Sequence, residues 1–451
     1  MGALLDRDRL AGLLEEEQRR FVETHPRSAE LHGRALGPYV AGVPMNWMTR
    51  WPGAFPIFAE QASGARITDV DGHSYVDLCL GDTGAMTGHA PEATVRALAE
   101  QAARGITLML PTEDSIEVGE QLTSRFGLAR WQLAMSATDA NRFVIRIARR
   151  ATGRQRVLVM NWCYHGTVDE ALWVLDDTAR VVPRPGSVGP LLSTGESVAV
   201  VEFNDLDALE RELAREDVAL VLAEPALTNI GIVLPEPGYH DELRRLTRRH
   251  GTLLCIDETH TICVGPGGAT GEWGLEPDLF TIGKPLAGGV PIAAYGMTEQ
   301  VAAEVVEPVF GEHSDVSGIG GTLTGNALSV AAMAATLRST LRAEDYERMV
   351  PLARRWTEGV AEVIAGAGLP WHVQQLGCRA EYWFCPPPRD GGAAAAALDP
   401  ALEAYLHLAA LNRGVLLTPF HNMALMSPAT TEHDVDLHTG VFSDSIGRLV
   451  A

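Results

Sequence analysis

Three rhythms of apolar and polar residues follow one another along this chain. From Asp6 to about Glu23 the apolar positions recur with a helical period, and a stretch broken by Pro and Gly then runs to Pro56. Two short alternating runs, Ala65–Asp69 and Ser74–Leu78, flank Asp71 and Gly72, a dipeptide that favours a hairpin turn. From about residue 90 to 330 short, wholly apolar runs alternate with helical stretches. Arg156–Met160, Ser197–Val201, Ala219–Ala223 and Leu253–Ile256 read as strands buried on both faces, with helices Pro91–Arg104, Asn141–Arg150 and Tyr239–His250 among them. The alternation predicts an α/β fold: a mostly parallel sheet with helices on both faces and ligands at the C-terminal strand ends. A long helix is expected from near Asn326, and mixed α and β structure after it. The Gly/Ala-rich stretch Asp390–Leu398 reads as an exposed, poorly ordered loop.

Composition narrows the function classes. At 451 residues the chain is long enough for two or three domains. Its formal net charge of −22 argues against binding nucleic acid or anionic membranes, both of which need clustered cations. No run approaches the ~18 apolar residues of a membrane span. The charged, amphipathic first twenty residues do not read as a secretory signal. Cys79, Cys163, Cys255, Cys263, Cys378 and Cys385 form no CxxC pair and read as reduced thiols, so a cytoplasmic protein without a structural or catalytic metal is expected.

The candidate chemistry gathers at strand ends. Asp257 closes the apolar run Leu253–Ile256, a costly place for a carboxylate unless it is paired. Lys284 follows Leu279–Ile282 and precedes Ala287, Gly288 and Gly289, so small residues leave room for a ligand beside it. An acid and a lysine at neighbouring strand ends suit pyridoxal phosphate chemistry: the lysine carries the cofactor as a Schiff base and the acid keeps the pyridine nitrogen protonated. Ser136, Ala137 and Thr138 open a helix, where free N–H groups serve either as an ordinary cap or as a phosphate cradle. Tyr164 and His165 follow the strand Arg156–Met160, where a tyrosine can stack on an aromatic cofactor and a histidine can support it. Glu224 follows Ala219–Ala223 as a turn residue or a cofactor neighbour, and Gly320–Asn326, with Thr322, offers a second phosphate contact or simply a capped loop. Gly283 and Lys284 superficially suggest a nucleotide-binding loop, but Pro285 stands where Ser or Thr is required.

Taken in order, Ser136/Thr138, Tyr164–Gly166, Glu224–Pro225 with Asn229 and Gly231, Asp257–Glu258, Lys284 and Gly321–Thr322 resemble the class III (subgroup II) pyridoxal phosphate aminotransferases of fold type I. Within them the chain looks similar to the glutamate-1-semialdehyde aminomutase and β-amino acid aminotransferase branch. The likeness extends from Phe55–Pro56 and Thr68–Asp77 to Arg413–Val415 and Thr430–Asp436. It implies a large cofactor domain over 76–330 and a smaller α+β domain built from both termini, 1–75 and 331–451. It also implies that Lys284 forms the Schiff base and shuttles the proton, Asp257 pairs with the ring nitrogen and Tyr164 stacks on the ring. By the same likeness Ser136, Ala137 and Thr138 hold the phosphate, Glu224 lies toward the ring hydroxyl, and Thr322 reaches the partner's phosphate in a homodimer. The expected activity is ping-pong transfer of an amino group from an amine or amino acid to a keto acid or other carbonyl; an aminomutase or epimerase is the alternative. The phosphate segment departs from the family's Ser-Gly-Thr by carrying Ala137. Trp47 stands where the β-amino acid enzymes carry a carboxylate-binding arginine, with Arg50 three residues on. Trp47, Met48, Arg50, Met86 and Phe420–Met423, His421 among them, are the expected substrate pocket; Arg50, Arg379 and Arg413 are alternatives for a substrate carboxylate.

Overall fold

The structure, a computed structural model, describes residues 5–189, 197–311 and 317–451. They form two compact units, one of residues 92–343 with 388–396, the other of 1–91, 344–387 and 397–451.

The larger unit is built on a seven-stranded sheet in the order Arg130–Ala134, Ala293–Met297, Leu279–Ile282, Leu253–Asp257, Val218–Ala223, Arg156–Met160, Val198–Val201. Only Ala293–Met297 runs antiparallel to its neighbours. Every residue of Arg156–Met160, Val218–Ala223 and Leu279–Ile282 is buried, which is why these runs are apolar without alternation. Register brings Asp257 beside Thr281 and Ile256 beside Ala223, so Asp257, Thr281 and the residue after Ala223, Glu224, lie on one edge. Helix Ala137–Thr152 buries Ala140, Asn141, Phe143, Val144, Ile147 and Ala148. It starts at the same edge, directly after the strand Arg130–Ala134.

Two expectations change here. A boundary at 75/76 would cut the strand Ser74–Asp77, which pairs on both sides within the smaller unit. A boundary at 330/331 would cut helix Ala327–Ser339, which packs against Glu92–Ala102 and Glu113–Phe126 of the larger unit. The stretch Asp390–Leu398 is not a loose loop: Asp390 caps the short helix Gly391–Ala395 and accepts from the Ala393 N–H at 2.8 Å. Its glycines answer to crowding, since a Cβ on Gly391 would lie 2.2 Å from the Asn161 carbonyl oxygen and one on Gly392 2.6 Å from the Glu202 carboxylate.

The smaller unit holds a four-stranded sheet (Ala59–Ser63, Arg66–Asp69, Ser74–Asp77, Val415–Leu416) and a three-stranded one (His372–Leu376, Arg379–Trp383, Met423–Leu425). Phe21, Tyr75, Leu408, Leu411 and Leu416 share one core cluster, so the two ends of the chain fold as one body. Helix Arg7–Thr24 is capped by Asp6, whose side chain accepts from the Asp8 and Arg9 N–H groups. Among the described residues no helix is long and apolar enough to cross a membrane.

Candidate functional site

The C-terminal edge of the large sheet carries a buried polar network centred on Asp257. Its Oδ2 accepts from His165 Nδ1–H and from the Asn141 amide, both at 2.9 Å, and its Oδ1 accepts from the Thr259 N–H at 3.1 Å. Burial alone would raise this carboxyl, but the bonds from His165, Thr259 and Asn141 outweigh it and hold the pKa at about 2. Burial likewise disfavours charge on His165, yet Cys163 and Asp257 push the ring well above its usual pKa. Thr281 Oγ1–H donates to Asn141 Oδ1 at 2.7 Å, and Asn141 also donates to the His165 carbonyl at 3.0 Å. With its oxygen claimed by Thr281, the Asn141 amide can present only its NH2 to Asp257. Glu258, next along the chain, serves elsewhere: buried, it accepts from the Ala269 and Thr270 N–H groups and ties down the glycine-rich turn after it.

Lys284 stands where the strand Leu279–Ile282 ends, half-buried and at φ 51°, a left-handed conformation costing a lysine roughly 1–2 kcal/mol. Its Nζ lies 2.5 Å from His260 Nε2. It is also the only lysine of the chain; the other 35 of the 36 Lys and Arg residues are arginine. Arginine stays protonated in proteins and cannot serve as an amine nucleophile. The chain therefore has one side-chain amine able to act as a nucleophile, and it stands at this sheet edge.

Close approaches join the remaining residues to this edge. A Cβ on Gly283 would come 3.1 Å from Ala137 Cβ, and one on Gly166 would come 2.1 Å from Thr138 Oγ1. Thr138 Oγ1 accepts from the Thr167 N–H at 3.2 Å. Lysine turn, helix start and the Tyr164–Gly166 loop thus meet at glycines, where a side chain would be crowded at Gly283 and would clash at Gly166. Ser136 is the exposed N-cap of helix Ala137–Thr152, its Oγ accepting from the Asp139 N–H at 3.2 Å. Trp162, at φ 61°, turns the chain so that the half-buried Tyr164 and the buried His165 follow the strand. Glu224 is buried and accepts from the Thr228 hydroxyl. Thr322 lies on an exposed loop and lines a cleft of about 660 Å³ with Asp139, Arg142 and Arg146.

Asn141, Thr281, Thr259 and His260 belong to the site although the sequence motifs gave them no role. Asn141 had a visible signal, a lone amide in the apolar stripe of its helix.

In the smaller unit Trp47 is partly exposed, its ring 4.9 Å from that of Phe420. His421 is buried with Nδ1 3.4 Å from Glu381 Oε1, and Arg379 Nη2 lies 3.2 Å from Glu381 Oε2. Met86 is fully buried, 3.9 Å from Cys378 Sγ. Of the three arginines considered for a carboxylate, Arg413 is paired with Glu17 at 2.7 Å and Arg379 with Glu381; Arg50 is exposed.

Comparison with known proteins gives this geometry its family. The model of the aminotransferase class-III family matches residues 47–444. A glutamate-1-semialdehyde 2,1-aminomutase of Desulfitobacterium hafniense is 33% identical over 419 residues, 91% of this chain and 95% of that protein. A solved structure from Pseudomonas aeruginosa PAO1, described as a glutamate-1-semialdehyde aminomutase in complex with PMP, superposes with a TM-score of 0.97 at 49% identity over 99% of both chains. An omega-transaminase from Sphaerobacter thermophilus superposes with a TM-score of 0.86 at 28% identity, covering 94% of this chain and 98% of its own. The residues present fit pyridoxal phosphate: one amine, one ionised carboxylate fixed at the same sheet edge, and a helix start with small residues for an anion. The chain belongs to the aminotransferase class-III family of pyridoxal phosphate enzymes.

Proposed function

We propose that the chain is an aminomutase, which moves an amino group within one amino-aldehyde substrate of the glutamate-1-semialdehyde kind and needs no separate acceptor. The observation carrying this reading is the 49% identical, full-length likeness to the Pseudomonas aeruginosa aminomutase. The sequence motifs alone had favoured intermolecular transfer, and these relatives favour the alternative.

When bound, the cofactor supplies an electron sink for the carbon that loses its proton. Lys284 is assigned to hold it covalently and, once released, to move protons between substrate positions. Asp257, ionised above about pH 2, is assigned to the ring nitrogen, where its negative charge keeps that nitrogen protonated. His165 and Asn141 keep this carboxylate in place. Ser136, Ala137 and Thr138 are assigned to the phosphate, Tyr164 to the ring face and Glu224 to the ring hydroxyl side. Thr322 is assigned to the phosphate of a second copy, which makes the enzyme a homodimer. The exposed run Ile106, Leu108, Met109 and Leu110, with Met109 75% and Leu110 71% accessible, supports a partner surface on the larger unit. Trp47, Arg50, Met86 and His421 are assigned to the substrate side. Five of the six free cysteines are buried and the sixth half-buried, which fits a reducing, cytoplasmic setting.

A second reading, transfer from a β-amino acid, ω-amino acid or simple amine to a keto acid, is supported by the omega-transaminase likeness. Incubating the holoenzyme with glutamate-1-semialdehyde and no keto acid decides between them. The isomer with its amino group moved by one carbon is the expected product. Turnover only after a keto acid is added would overturn the aminomutase reading in favour of the second.

A further inference from the structure

We propose that His260 is the proton partner of Lys284. Strand Leu253–Asp257 ends in a tight turn, in which Asp257 Oδ1 accepts from the Thr259 N–H at 3.1 Å. That turn delivers the next residue, His260, buried, to the end of the neighbouring strand, where its Nε2 lies 2.5 Å from Lys284 Nζ. Two nitrogens this close share a proton, and two full cations at this distance repel strongly. The left-handed backbone at Lys284 fixes the amine's point of departure, so the contact is built by main-chain geometry as well as by side-chain reach.

The chemistry of the site gives the contact a use. Lysine must be neutral to form a Schiff base and must exchange a proton each time it is released or recaptured. In the proposed step the Nζ–H bond of the ammonium breaks, its electron pair stays on Nζ as the free amine, and the proton bonds to His260 Nε2; the reverse step restores the ammonium. Imidazole is the side chain suited to do this near neutrality. Ionisable groups around this edge include Asp257 and Glu258 on the segment of His260, Lys284 from the neighbouring strand end, Glu224 beyond the other neighbour, and Cys163, Tyr164 and His165 on the loop behind Asp257. Asp257 is committed to His165, Asn141 and the Thr259 N–H, and Glu258 to the Ala269–Thr270 turn, while His260 Nε2 is in direct contact with Nζ.

The inference rests on the assignment of Lys284 as the reacting amine, and its test separates the two. Because the chain has one lysine, 15N-lysine labelling of the full-length protein yields a single Nζ signal. Its titration, with and without pyridoxal phosphate, is compared among wild type, His260→Gln and His260→Ala. The Nζ signal of the cofactor-free wild type is expected to differ from that of His260→Gln across the pH series. Turnover should fall about 100-fold in His260→Ala and be partly restored by added imidazole. Identical Nζ titrations in wild type and His260→Gln, with turnover unchanged, overturn the proton-partner role and leave the Lys284 assignment standing. An Nζ signal that does not respond to pyridoxal phosphate defeats the Lys284 assignment itself.

Discussion

Asp257 and Glu381 are both fully buried carboxylates, one in each unit, and they are held in different ways. Asp257 takes three bonds of 2.9–3.1 Å from His165, Asn141 and Thr259, and Thr281 fixes the amide among them. Glu381 accepts from Arg379 at 3.2 Å, the long end of the hydrogen-bond range, and His421 Nδ1 stands 3.4 Å from its other oxygen without a hydrogen bond. Burial opposes ionisation of Glu381 as well, but His421 and Arg379 hold its pKa below the usual value. Nearby, burial and the Glu381 charge push Glu403 up to about 7, against the pull of Arg50. The larger unit thus presents a finished anionic post for one fixed partner, whereas the smaller collects charges that balance one another more loosely. A cofactor site requires the first arrangement.

The sharpest way to break this contrast is to remove the post. Asp257→Ala should lower turnover at least about 100-fold in the single-substrate assay, and the buried partners it strands should cost about 3–5 kcal/mol in urea unfolding. An activity loss below about tenfold would deny Asp257 its role at the ring nitrogen. Thr281→Val removes only the hydroxyl that fixes Asn141, and the unsatisfied amide oxygen should cost about 1–3 kcal/mol with the same assay reporting a smaller fall in turnover.

Acid should separate the two regions as well. Asp257 has its folded pKa lowered from 3.8 to about 2, so the stability it contributes is full above about pH 4 and lost as pH falls through 2, about 2 kcal/mol in all. Glu403 has the opposite sign: with its folded pKa raised from 4.5 to about 7, it costs stability increasingly as pH rises through that window. Unfolding followed from pH 2 to 8 should show both trends, and Glu403→Gln should remove the second alone. The mildest expected effect is on the substrate side. Trp47→Ala should change relative kcat/KM among amino substrates by roughly tenfold while leaving the spectrum of bound cofactor unchanged. An unchanged substrate profile would remove Trp47 from the pocket.

What could be read without the structure follows the same division. Wholly apolar strands that end in one charged residue announced Asp257 and Lys284, because a buried strand end tolerates a charge only for a reason. The parallel sheet was legible for the same cause. His260 was not: its partner lies 24 positions away, and only the register of two strands joins them. The Arg379, Glu381 and His421 cluster is likewise assembled from separate segments and has no local signature. At Gly391 and Gly392 composition misled, since those glycines reflect close packing against Asn161 and Glu202 rather than freedom of the chain. Lys284 carried a further signal in plain counting, as the one lysine among 35 arginines.

That solitary lysine also permits the most direct test. Reducing the cofactor-loaded enzyme with borohydride and mapping its peptides should place one pyridoxyl phosphate adduct, on Lys284 and nowhere else. An adduct confined to the N-terminal amine, or a protein that holds the cofactor without any covalent link, would contradict the site described here.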